Sequence, residues 1–283
     1  MHEARASRTA ERVAIRRAAH QLLDKPTVFD DPLAVSIVGA QATSELRKKI
    51  STDENRFARG LRAIMAARSR YAEDQLAEAV ARGVRQYVVL GAGLDTFAYR
   101  NSYAALRVFE VDFPATQSWK HELLADAGID IPENLTFIPL DLEHKSLAES
   151  LLDAGFDPIE PAFFGWLGVV PYLTLDAFRA TIATIGRLPV GTAVSFDYAF
   201  PPETLSPKRR KVFDTLSKRV EASGEPLQLF FTPEQLEKEV RAAGFSRVEQ
   251  FDTDCMNEAY LKDRADGLKL SPVRVGMLAT AWV

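Results

Sequence analysis

Ten residues, Tyr87-Val88-Val89-Leu90-Gly91-Ala92-Gly93-Leu94-Asp95-Thr96, constrain this chain more than any others, because an unbroken apolar run gives way abruptly to a glycine loop. Val88, Val89 and Leu90 follow one another without polar alternation, the pattern of a strand covered on both faces at the centre of a parallel sheet. Gly91 and Gly93 carry no Cβ, so the backbone beyond that strand can turn sharply and come close to a ligand. Turns and bulges use the same glycines, and the pair alone leaves a cofactor site and a structural turn equally open.

The residues around the loop narrow the choice. Asp95 lies inside it, where a carboxylate would repel a pyrophosphate but suits a ligand bearing an ammonium and a sulfonium. S-adenosylmethionine has that chemistry. A second apolar run starts at Arg107 and ends at Pro114, with Asp112 standing 21 residues beyond Gly91, near the spacing at which an acid meets ribose hydroxyls. The third, residues 135–140, ends in Asp141. Three successive strand ends thus bring Gly91 and Gly93, Asp112 and Asp141 to the carboxyl edge, where open α/β sheets bind ligands.

On these residues the chain resembles a known family. Ala6-Ser7-Arg8-Thr9-Ala10, Phe29-Asp30-Asp31-Pro32-Leu33-Ala34, Arg68-Ser69-Arg70-Tyr71, Gly91-Ala92-Gly93-Leu94-Asp95-Thr96, Glu110-Val111-Asp112-Phe113-Pro114 and Asp141-Leu142 occur in the order found in leucine carboxyl methyltransferase-like enzymes. The resemblance implies S-adenosylmethionine as cofactor and a Rossmann-like α/β fold, a seven-stranded, mostly parallel sheet with its last strand reversed. It also implies roles: Arg68 for the methionine carboxylate, Gly91 for the methionine backbone region, Asp112 for the ribose, and Asp141 with Leu142 for the adenine. The chain departs from the family in one place. Carboxyl methyltransferases of the family have a glutamate after the fourth strand; here that position is Leu167, which puts a protein carboxylate substrate in doubt.

The rest of the sequence supplies what surrounds this centre. Residues 10–23 have apolar side chains at three- and four-residue spacing and predict an amphipathic helix stopped by Lys25-Pro26. A short helix over 32–38, with Asp31 as N-cap and Gly39 as its end, comes next. The longest helical pattern covers 53–81, capped by Ser51 or Thr52 and closed by Gly83. Its apolar stripe holds Phe57, Leu61, Ile64, Met65 and Tyr71, and Arg68 falls on that stripe. A guanidinium aimed inward needs an anionic partner, either a ligand carboxylate or an internal acid such as Asp95 or Asp112.

Crossover helices are expected over 115–127 and 146–153, and one capped by Thr174 should run through residue 185. The fourth strand is read over 162–168 and the fifth over 192–196, which would deliver Asp197 and Tyr198 to the ligand edge. With Tyr172, they are the candidates for shaping an acceptor pocket. A polar helix over 207–220 with a solvated basic run, Lys208-Arg209-Arg210-Lys211, belongs to an insertion before the helix that Thr232 and Gln235 start. Residues 246–251 and 276–283 complete the sheet. The whole reads as one domain, 1–283, with an N-terminal helical cover over 1–84 and an insertion or lid over 200–231.

Composition excludes several classes. At 283 residues and 47% hydrophobic content the chain can bury a substantial core, and a net charge of -4 does not fit a nucleic-acid binder. It has no apolar run long enough to span a membrane. The single cysteine, Cys255, allows no intrachain disulfide and fits a cytoplasmic setting. His2, His20, His121 and His144 match no ligand spacing, read as surface or capping residues, and give no reason to expect a metal. The leading expectation is an S-adenosylmethionine-dependent O-methyltransferase acting on a carboxylate or hydroxyl of a small molecule. The alternatives are a nicotinamide-dependent oxidoreductase and a non-catalytic cofactor-binding module. No histidine or lysine stands at a strand end to act as base, so catalysis is expected to rest on positioning and desolvation of an ionised acceptor.

Overall fold

The computed structural model describes residues 7–49, 56–270 and 275–283. Helices α1 (Arg8–Leu23), α2 (Ala34–Ile37), α3 (Gly39–Lys49) and α4 (Arg56–Ala81) precede the sheet. Then follow β1 (Gln86–Leu90), α5 (Phe97–Arg100), β2 (Arg107–Asp112), α6 (Pro114–Asp126), β3 (Leu135–Pro139), α7 (Leu147–Asp153), β4 (Phe163–Trp166), α8 (Leu175–Gly186) and β5 (Ala193–Ala199). The chain closes with α9 (Pro207–Glu221), α10 (Pro233–Ala242), β6 (Arg247–Phe251), α11 (Thr253–Tyr260) and β7 (Gly276–Trp282).

The seven strands lie in the order β3-β2-β1-β4-β5-β7-β6. The first five are parallel, and β7 runs antiparallel to both of its neighbours. Every residue of β1 is buried, as its unbroken apolar run requires of a central strand. Alternate residues serve two cores: Val88 and Leu90 pack with Phe109, Phe164 and Ile182, while Tyr87 and Val89 pack with Leu76, Val108 and Phe163. Strand order reverses between β1 and β4. A crevice therefore opens beyond the carboxyl end of β1, where the glycine loop begins.

The N-terminal helices are tied to the sheet by apolar and ionic contacts. Ala63, Ala66, Ala67 and Tyr71 of α4 pack against Val28, Phe29, Met256 and Leu278, and Tyr71 Oη is hydrogen-bonded to Thr280 at 2.8 Å. Ala14 of α1 meets Ile37, Leu94 and Leu124.

Several local expectations change. Asp31 caps no helix: it is fully buried and pairs with Arg17, and the short helix starts at Ala34 instead. Gly39 does not end the helical region but opens α3. The cap residues Ser51 and Thr52 and the side chain of Phe57 lie outside what is described. The fifth strand continues past Phe196 to Ala199, because β7 pairs with it as far as Ala199↔Gly276, so Asp197 and Tyr198 are strand residues. Cys255 is exposed near the start of α11. His20 is neither surface nor cap but buried, with Nε2 accepting from the Val28 and Phe29 N–H groups. Among the described residues no helix is long and apolar enough to cross a membrane.

Candidate functional site

The crevice is a cavity of about 450 Å³. Arg68, Gly91, Gly93, Asp95, Asp112, Asp141 and Leu142 all line it, and so does Tyr172. Asp197 and Tyr198 are not among its lining residues. They point to opposite faces of β5. Tyr198 is buried, with its hydroxyl donating to Gln250 Oε1 at 2.9 Å and its ring edge-on to Phe200.

The glycine loop is anchored at its start, where the N–H groups of Gly91 and Ala92 both donate to Val111 O at 2.8 and 3.1 Å. Gly91 sits at φ +67°, and a Cβ there would stand 2.3 Å from Val169 Cγ2. Gly93, at φ +49°, brings the loop so near α1 that a Cβ would stand 3.0 Å from Ala10 Cβ. Both glycines are therefore required by conformation and by space.

Asp112 closes the loop from β2. Its Oδ2 accepts from Gly93 N at 2.5 Å and its Oδ1 from Phe113 N at 2.6 Å. Burial raises its pKa, and these two N–H groups partly oppose the shift. Behind it, Lys120 Nζ meets Glu110 Oε2 at 2.6 Å in a wholly buried pair; burial pushes the Glu110 carboxyl up, and Lys120 opposes that shift. Asp141, beyond β3, accepts from Glu143 N at 2.9 Å, leaving Leu142 as an apolar side of the same turn.

Asp95 is not an isolated carboxylate. Its Oδ1 accepts from Phe97 N at 2.8 Å, and its Oδ2 stands 3.5 Å from Arg17 Nη1. Burial works to raise its pKa, and Arg17, Arg100 and Lys120 together bring it below the usual carboxylate range. Arg17 also pairs with Asp31 and donates to Thr96 Oγ1 at 2.8 Å, while Arg100 pairs with Glu73. This network fastens α1 to the loop.

Arg68 points inward as its stripe position predicts, and its internal partner is neither Asp95 nor Asp112. Nη1 meets Asp197 Oδ2 at 3.1 Å, and Asp197 also accepts from Gly168 N. Arg68 Nε is buried and has no hydrogen-bond partner among the described residues. Asp197 thus acts on the cavity wall through Arg68 and Gly168.

At the other end of the cavity the sequence points to Tyr172 but not to Glu225. Glu225, in the loop after α9, is only 7% exposed and lines the cavity. Its Oε2 accepts from Thr9 N at 3.1 Å and from the Thr9 hydroxyl. Tyr172 sits beside them in the turn after β4; burial pushes its phenol up to about 12, and a hydrogen bond with Thr9 opposes that shift. Leu167 also lines the cavity. The only sequence signal for Glu225 was Gly224-Glu225-Pro226, which looks like an ordinary polar turn. Among the described residues no group of three or more His, Cys, Asp or Glu side chains could hold a metal.

Comparison with known proteins agrees with this architecture. The family model for leucine carboxyl methyltransferase matches residues 10–186. A Bacillus subtilis (strain 168) protein provisionally named S-adenosyl-L-methionine-dependent methyltransferase YktD is 31% identical over 278 residues, covering 90% of this chain and 91% of its own. A Mycolicibacterium vanbaalenii protein with the same provisional activity name is 31% identical over 274 residues, covering 91% of this chain and 80% of its own. Among solved structures, a protein from Thermobifida fusca YX provisionally described as a methyltransferase superposes with a TM-score of 0.56 at 18% identity, covering 95% of this chain and 93% of that one. That likeness concerns the fold.

Proposed function

The chain belongs to the leucine carboxyl methyltransferase family, and from that we infer that it is an S-adenosylmethionine-dependent methyltransferase whose acceptor is an oxygen of a small molecule. The observation that carries the reading is the convergence of Arg68, Gly91, Gly93, Asp112, Asp141 and Leu142 on one cavity. When bound, S-adenosylmethionine supplies a methyl carbon activated by its sulfonium. The residues present fit such a ligand: Gly91 and Gly93 present bare backbone to the cavity, and among the described residues the buried Arg68 Nε lacks an acceptor.

In this reading Arg68 holds the methionine carboxylate, and Asp197 positions Arg68. Asp112 has both oxygens fixed by main-chain N–H groups and keeps further lone pairs for the ribose hydroxyls. Leu142 and Asp141 flank the adenine. Asp95, balanced by Arg17, contributes to the shape of the loop more than to the charge facing the ligand. The segment between β5 and α10 serves as a lid, and α1 covers the cavity from the other side. Orientation and exclusion of water are a main part of the catalytic gain and in favourable cases contribute about 7 to 11 kcal/mol. A cytoplasmic enzyme with one exposed cysteine fits this chemistry.

The test is differential stabilisation. S-adenosylhomocysteine at a hundredfold excess over its Kd should stabilise the fold by ~2.7 kcal/mol, a rise in Tm on the order of 5 to 10 °C. Equal stabilisation by NAD would overturn the assignment. Methyl transfer to any acceptor would exclude a non-catalytic binding module.

A further inference from the structure

We propose that Glu225 takes the acceptor's proton during transfer, so that the acceptor is a hydroxyl compound, a phenol or an alcohol, and not a carboxylate. This rests on the methyltransferase reading above and adds the acceptor class to it.

Three observations carry it. Glu225 is a buried carboxylate in the cavity wall whose Oε2 is occupied by Thr9, while among the described residues Oε1 has no hydrogen-bond partner. Oε1 is open to the cavity, where an acceptor hydroxyl would supply the donor it lacks. Second, the cavity's guanidinium groups are committed elsewhere: Arg17 faces Asp31 and Asp95, and Arg68, beside Asp197, is the group assigned above to the methionine carboxylate. Third, Glu143 and Glu225, which the cofactor reading does not use, add carboxylates to the wall. A carboxylate acceptor would have to sit beside the Glu225 carboxylate, whereas a hydroxyl can donate to it. Leu167, where the family's carboxyl methyltransferases have a glutamate, removes a further similarity to their acceptor end.

The atoms balance without a further reactant. The acceptor oxygen forms its bond to the methyl carbon as that carbon's bond to sulfur breaks, and the electron pair stays on sulfur. The hydroxyl proton passes to Glu225 Oε1 and then to water. Tyr172 and Thr9, next to Glu225, orient the acceptor.

The full chain is tested with tritiated-methyl S-adenosylmethionine against phenols, alcohols, carboxylic acids and amines, and the products are then treated with alkali. Methyl ethers survive alkali, whereas methyl esters release labelled methanol. The expected result is an alkali-stable ether. Glu225→Gln should lower kcat about 100-fold or more with S-adenosylhomocysteine affinity within twofold of the parent, and Glu225→Asp should recover part of the rate. In the S-adenosylhomocysteine complex, phenol should bind at least tenfold more tightly than benzoate, and Glu225→Gln should erase that preference. Alkali-labile label, transfer only to amines, benzoate binding as tightly as phenol, or a Glu225→Gln enzyme changed in Tm and KM but not in kcat would each overturn the proposal. Failure of the parent protein to bind S-adenosylhomocysteine would overturn the methyltransferase reading itself.

Discussion

At one end of the cavity Gly91, Gly93, Asp112 and Asp141 stand just beyond or at the ends of β1, β2 and β3; at the other, Thr9, Tyr172 and Glu225 come from α1, the turn after β4 and the loop after α9. The first end is placed by strand pairing. Neighbouring parallel strands bring their carboxyl ends together whatever side chains follow, and hydrogen bonds such as Gly91 N to Val111 O hold the loop to the next strand. The second end depends on contacts such as Thr9 with Glu225, 216 residues apart. A fold built this way can retain the first end while the second varies.

Substitutions should therefore separate the two ends, and the largest effect is expected in the loop. Gly91→Ala places a Cβ 2.3 Å from Val169 Cγ2 at a φ of +67°. Left-handed backbone strain and overpacking together should cost about 2 to 4 kcal/mol, a fall in Tm on the order of 5 to 15 °C, with S-adenosylhomocysteine binding lost as well. Thermal unfolding and calorimetry check both. A variant that melts and binds as the parent does would mean that the loop adapts, and that the cofactor end is no more rigid than the other.

Arg68 should have the next largest effect, because it links the long helix α4 to the cavity wall through Asp197. Arg68→Met should weaken S-adenosylhomocysteine binding ten- to hundredfold, about 1.5 to 3 kcal/mol, and Arg68→Lys should fall between, since an ammonium lacks the planar fork. The check is titration calorimetry on protein shown to be folded by its circular dichroism. Unchanged affinity in Arg68→Met would assign the guanidinium to Asp197 alone.

The same contrast explains what could be read from the chain. The strands, their crossover helices, the Thr232–Gln235 capping box and the glycine loop follow from local signals, namely apolar runs, caps and glycines at fixed offsets, whereas the seven-stranded sheet with a reversed last strand follows from the family resemblance. Helices α3, α5 and α11 gave no such signal. α3 opens on Gly39, which looks like a stop; α5 has only 4 residues; α11 is 8 residues with few apolar positions. The sequence places Tyr198 at the ligand edge because the reading of the fifth strand ends at Phe196; the strand's continuation depends on pairing with Leu278, Met277 and Gly276. Glu225 and Asp31 look like turn residues until Thr9 and Arg17 are brought to them by the fold. Burial of a charged side chain is a property of the assembled chain, and no periodicity encodes it.

The smallest effect expected belongs to the anchor of α1, where it appears as a pH dependence. Asp24, at the end of α1, accepts from Arg62 Nε and Nη2 at 2.7 and 2.9 Å and stands 2.7 Å from His20 Nδ1. Because His20 Nε2 accepts two main-chain N–H bonds, Nδ1 carries the ring proton and donates to Asp24. Burial would raise the Asp24 pKa, but Arg62 and His20 more than offset this and hold it at about 2, against an ordinary 3.8. A depressed carboxyl contributes stability that is complete above its unfolded value and is lost as pH falls from about 4 through about 2. At about 1.4 kcal/mol per unit, the contribution is about 2 kcal/mol. Other carboxylates titrate over the same window, so the informative quantity is the difference in stability between the parent and Asp24→Asn. It should stay near 2 kcal/mol from pH 7 to about 4 and shrink toward pH 2. A difference that stays constant across that window would mean that Asp24 fixes α1 by packing and neutral hydrogen bonds, and that ionisation plays no part in holding the cover in place.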